Sequence, residues 1–98
     1  EVVMSHQLCT EAIRLIEQGA HLIDVRTAQE HSRGAIQGAV NIPLQSLPGA
    51  IQTLDKAQSV IVYCASGGRS RMAKQFLDQF GFNAVHDLGS IKNIGLCQ

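Results

Sequence analysis

Val60-Ile61-Val62-Tyr63-Cys64-Ala65-Ser66-Gly67-Gly68-Arg69-Ser70 is the stretch whose reading decides the fold. Its first four residues are an apolar, β-branched run, the pattern of a strand buried on both faces of a parallel sheet. A helical pattern follows over Ser70 to Phe80. Met72, Ala73, Phe76, Leu77 and Phe80 share one face, and Gly81 stands where a helix ends. A cysteine therefore closes a strand, and a loop with two glycines leads from it into a helix N-terminus. Open α/β sheets place their ligand sites at that end. The first N–H groups of a helix lack partners and attract anions, so a thiol held there is biased toward thiolate.

The size of that bias can be bounded. Bringing a free thiol from about 8.5 to about 6.5 takes about 2.7 kcal/mol of preference for the thiolate. A helix terminus at the surface supplies only about 0.3–1 kcal/mol. Loop N–H groups aimed at the sulfur would close the gap, and Gly67 and Gly68 permit the backbone angles such a nest requires. Arg69 adds a positive charge, worth up to about 4 kcal/mol at close range before screening. Cys64 is thus the candidate nucleophile, with Ala65, Ser66, Gly67, Gly68, Arg69 and Ser70 as the candidate binding loop for an anionic substrate. The competing reading is a buried structural cysteine with a glycine turn after it.

The rest of the chain sets limits. Its 98 residues suffice for one domain, 1–98, with one modest core. Apolar residues make up 45%, ordinary for a globular chain. Formal net charge is zero and no Lys/Arg run occurs, which argues against a nucleic-acid partner. No apolar stretch is long enough to span a membrane. Cys9, Cys64 and Cys97 are an odd count with no C-x-x-C pair, so neither a disulfide scaffold nor a zinc site is expected. His6, His21, His31 and His86 have no ligand spacing. No metal and no cofactor are expected.

Strand and helix signals alternate, which favours an α/β fold with a parallel sheet. Val2-Val3-Met4 reads as a short first strand, with Ser5 as N-cap of a helix carrying Leu8, Ala12, Leu15 and Ile16 and ended by Gly19. Leu22-Ile23-Asp24-Val25 reads as a strand, Ala28 to Ser32 as a helical turn, and Ala39-Val40-Asn41-Ile42 as a strand stopped by Pro43. Leu44 to Leu54 reads as a helix weakened by Pro48 and Gly49, and Ala84-Val85-His86 as a last strand. Right-handed crossovers would put helices on both faces.

Leu22-Ile23-Asp24-Val25-Arg26, Glu30, Gly34, Ile36, Gly38-Ala39 and Asn41-Ile42-Pro43 resemble the amino-terminal signature of rhodanese domains. The Cys64–Ser70 loop resembles the family's active-site loop, and Phe80-Gly81-Phe82 with Asp87-Leu88-Gly89-Ser90 its last helix–strand unit. The likeness covers about residues 5 to 95 and is strongest to single-domain rhodaneses, the small bacterial sulfurtransferases of the phage shock protein E type. It implies a five-stranded parallel sheet with helices on both faces. It also implies that Cys64 takes a sulfane sulfur from thiosulfate or another persulfide donor and passes it to cyanide or a thiol. On this pattern Arg69 binds the anionic end of the donor, and Ser66 and Ser70 donate hydrogen bonds. Ser70 is equally readable as a plain N-cap. Asp24, Arg26 and Glu30 are expected to be structural, with an Arg–Glu pair and Asp hydrogen bonds fixing a turn, and Asn41 likewise. The chain departs from the pattern at His31, Ala35, Ala65 and Ser90; Ala65 lowers the positive potential over the pocket.

Two other functions compete. Cysteine phosphatase loops carry one more residue between Cys and Arg than the four here, Ala65 to Gly68. A non-turnover persulfide carrier or thiol-sensing docking module would use the same loop. Cys97 is a candidate resolving thiol or an incidental tail residue, and Cys9 a packing residue. The expected partners are a small anionic sulfur donor and a thiol acceptor, without nucleic acid or membrane, acting on a monomer. The expected compartment is the cytoplasm, or the periplasm if a leader preceded Glu1.

Overall fold

The computed structural model describes residues 2–92, with side chains described for residues 10–92. The chain runs α1 (Val2–Glu17), β1 (His21–Asp24), α2 (Ala28–Ser32), β2 (Val40–Asn41), α3 (Leu47–Ala50) between two short 3-10 turns, β3 (Val60–Cys64), α4 (Gly68–Gln79) and β4 (Val85–Ser90). All strand pairs are parallel, in the order β2-β1-β3-β4. The chain goes outward from β1 to β2, then returns past β1 to β3. The loops after β1 and β3 therefore leave in opposite directions, and a crevice opens between them at the carboxyl ends of the strands.

Side chains of a strand alternate between faces, and here both faces are covered. Ile23, Val25, Val60, Val62 and Cys64 point into a core closed by Leu47 of α3 and by Ala73 and Leu77 of α4. Leu22, Ile61 and Tyr63 point the other way, against Ala12 and Leu15 of α1. Every residue of β3 is buried, which is why its sequence is an unbroken apolar run. The pairing of β3 with β4 slips between Val62 and Tyr63, so that Tyr63 meets Gly89 and Cys64 meets Ser90. Leu88 is the extra residue. A bulge of this kind re-aims the end of a strand, and here it delivers Ser90 beside the cysteine.

Several expectations need correction. Val2–Met4 belongs to the first turns of α1 and not to a strand, and Ser5 lies inside that helix; β-branched residues are weak evidence for a strand when a long amphipathic helix follows without a turn signal. The sheet of the described residues accordingly has four strands, not five. Ile16, Met72 and Phe80 are exposed where the helical spacing placed them inward. Pro48 and Gly49 break the Leu44–Leu54 segment into α3 and its flanking 3-10 turns. Cys97 lies outside the described residues.

Candidate active site

Cys64 is the last residue of β3 and exposes no surface. The chain then turns through Ala65 and Ser66 to Gly67, which caps α4 with a φ of 107°. That left-handed angle strains any residue with a Cβ, and it aims the Gly67 N–H back at the sulfur, 2.9 Å away. The Ser70 N–H, from the first turn of α4, approaches it at 3.4 Å. The Ser70 hydroxyl has one proton to give, either to the Gly67 carbonyl 3.1 Å away or to the sulfur. Burial pushes the Cys64 thiol up. The Ser70 hydroxyl and the N–H groups of Ser70, Gly67 and Ser66 outweigh it, so the thiol sits below its ordinary range. The amide cradle expected from the sequence is present.

Two parts of the expected loop behave otherwise. Gly68 has ordinary helical geometry as the first residue of α4, and a Cβ added there would meet nothing within 4 Å; the nest needs one glycine, not two. Arg69 binds Glu30, with Nη1–Oε1 at 2.7 Å and Nη2–Oε2 at 3.0 Å. Its charge is answered by a carboxylate, and the Ser70 hydroxyl and the loop amides lower the Cys64 thiol where the sequence assigned part of that work to the guanidinium. Ser66 is exposed at the loop's tip. Ala65 turns its carbonyl to Ser90, whose hydroxyl donates to it at 2.7 Å.

The turn after β1 is held by a buried polar cluster. Arg26 lies 2.7 Å from Asp24 and donates to it from Nε and Nη2 as well as from its backbone. His31 Nδ1 and the Tyr63 hydroxyl also meet Asp24 Oδ2, at 2.9 and 3.2 Å. Burial works against the Asp24 charge, yet the hydrogen bonds from Arg26 and His31 hold its carboxyl below the usual range. Asn41 donates to the carbonyls of Asp24 and Arg26. The structural roles expected for Asp24, Arg26 and Asn41 fit this cluster, but the expected Arg26–Glu30 pair does not exist: Arg26 takes Asp24, and Glu30 takes Arg69. Sequence reasoning missed Ser90 and the reach of Glu30 because both meet the loop across the sheet, not along the chain. A local signal for Glu30 is its capping-box spacing from Thr27, which fixes it on α2.

A cysteine at a strand's end is cradled by the amides of a following helix start, and the family model for the rhodanese-like domain matches residues 8–95. The chain belongs to the rhodanese family. It is similar to thiosulfate sulfurtransferase PspE of Escherichia coli K12, with 38% identity over 78% of this chain and 75% of that one. Among solved structures it resembles a rhodanese with anions from E. coli, with a TM-score of 0.74, 38% identity, and coverage of 78% of this chain and 92% of that one. It also resembles reduced CoADR-RHD of Bacillus anthracis, with a TM-score of 0.79 and 31% identity. That match covers 91% of this chain but only 16% of the larger one. The chain is a rhodanese-family sulfurtransferase by these relations.

Proposed function

We propose that this rhodanese moves a sulfane sulfur from thiosulfate or a related donor to a thiophilic acceptor through a persulfide on Cys64. The observation that supports it is the pair of N–H groups, from Gly67 and Ser70, directed at a sulfur that ends β3. The Cys64 thiolate attacks the outer sulfur of thiosulfate. The new S–S bond forms as the donor's S–S bond breaks, and sulfite leaves with the bonding pair. Cyanide or a thiolate then attacks the outer persulfide sulfur and returns the Cys64 thiolate. The loop amides stabilise negative charge on the sulfur in both states, and two displacements on one residue give ping-pong kinetics. Because Cys64 is fully buried, the surrounding loop has to give way for the donor's outer sulfur to reach it.

Intact-mass measurement before and after thiosulfate tests the reading. The protein should gain one sulfur atom, lose it to cyanide, and fail to gain it as Cys64→Ser. Loading without turnover would make it a persulfide carrier, and no loading from any donor would refute the persulfide reading.

A further inference from the structure

The Glu30–Arg69 ion pair joins the two walls of the crevice. Glu30 comes from α2, after β1, and Arg69 from the first turn of α4, after β3. Glu30 is fixed independently of Arg69. Its Oε1 accepts from the Thr27 N–H at 2.9 Å, and its own N–H donates to Thr27 Oγ1 at 3.1 Å. The carboxylate then meets the guanidinium in the two-bond, fork-to-fork arrangement that is the strong geometry for this pair. Both side chains stay about one-third exposed, so a donor entering from solvent meets the pair and not a bare cation. Of the other arginines near the loop, Arg26 is matched by buried Asp24, and Arg71 is exposed on α4 alike whether or not Glu30 holds Arg69. The cradle around Cys64 consists of N–H dipoles, which stabilise a thiolate or persulfide without attracting a distant dianion.

We propose that Glu30 is a specificity-determining residue of this site: by holding Arg69 in a two-bond ion pair, it cancels the cation a dianionic donor would use and sets the site toward donors of lower charge. The favoured class is persulfides and monoanionic thiosulfonates, with thiosulfate served less well. The inference rests on the Cys64 persulfide reading and refines it.

Coulomb's law gives the test its form. An uncovered Arg69 attracts a dianion twice as strongly as a monoanion, so an about tenfold gain for the first is an about threefold gain for the second. Glu30→Gln is the suitable variant, since glutamine keeps an oxygen for the Thr27 N–H and preserves the capping box. Steady-state kinetics with thiosulfate and with methanethiosulfonate, cyanide as acceptor, should show KM for thiosulfate falling about tenfold and KM for methanethiosulfonate about threefold, with kcat held. Added KCl should raise the variant's KM for thiosulfate more than the parent's, because in the variant the Arg69 charge is uncovered. An unchanged ratio of the two KM values, or a fall in kcat for both donors without a KM shift, would overturn the inference and leave Glu30 a structural tie. Mass measurement of the parent separates the two levels. If neither donor loads Cys64, the persulfide reading falls and the specificity inference with it; loading with an unmoved KM ratio removes the inference alone.

Discussion

Gly67 and Gly68 are adjacent and chemically identical, yet the fold treats them differently. Gly67 holds a left-handed angle that points its N–H at Cys64; Gly68 is ordinary helix in open space. Gly67→Ala should cost about 1–2 kcal/mol from the backbone angle alone, its new methyl making only an ordinary contact with Gly89. It should also slow alkylation of Cys64 by iodoacetamide at neutral pH, since the amide that lowers the thiol is displaced. Gly68→Ala should be neutral or stabilising by about 0.5–1 kcal/mol. Thermal melts of the two variants check both, and equal destabilisation would contradict the geometry. The alkylation rate of the parent should rise with pH with its midpoint below that of a free thiol, because the folded state favours the thiolate.

The elements that carry the site are held by contacts between, not within, themselves. β4 reaches the loop through Ser90, and removing that hydroxyl leaves the Ala65 carbonyl without its 2.7 Å donor. Ser90→Ala should cost about 1 kcal/mol and lower the rate of sulfur loading more than it lowers stability, as the loop loses its anchor to the sheet. The turn between β1 and α2 depends on Asp24, which is fully buried with Arg26. Asp24→Asn leaves a buried guanidinium without its countercharge, a defect of about 3–5 kcal/mol. A chain of this size has little margin for that loss. The urea midpoint should drop sharply, whereas Lys74→Ala, which breaks only the exposed pair with Asp78, should move it by less than about 0.5 kcal/mol.

Acid stability belongs to the whole molecule, because the Glu30–Arg69 pair joins α2 to α4 across the fold. The Arg69 hydrogen bonds pull the Glu30 carboxyl from 4.5 to about 2, and Asp24 is held below 3.8. Both groups titrate lower when folded than when unfolded. Their stabilisation is therefore complete above the unfolded values and is lost as pH falls through the folded ones. Urea midpoints should stay level down to about pH 4.5 and decline from there toward pH 2. Glu30→Gln should flatten part of that decline; a midpoint that instead falls between pH 7 and 5 would point to histidine and contradict the assignment.

Much of this was legible in the chain itself. The unbroken apolar run of β3 required burial on both faces and hence a parallel sheet, and the residues after it required a turn into a helix with free N–H groups. Those are local consequences of side-chain pattern and backbone freedom, so sequence determined the family of fold, the place of Cys64 at the end of a buried strand and the N–H cradle that follows it. Ala28 to Ser32, read as a helical turn, is α2 in the structure, a local element whose capping box closes within four residues. The first segment was misread because Val2-Val3-Met4 has the composition of a strand, and composition does not register the helix that extends through it. What only the tertiary structure decided is where the long side chains go. Arg69 could reach the sulfur's neighbourhood or Glu30, and Arg26 could reach Glu30 or Asp24. The Arg26–Asp24 pair closes within two residues, but the choice of Glu30 by Arg69 depends on the crossover that brings α2 beside α4, some 39 positions away along the chain. Charge pairing across such distances is set by the packing of elements, and it leaves no periodic or local trace for sequence to show.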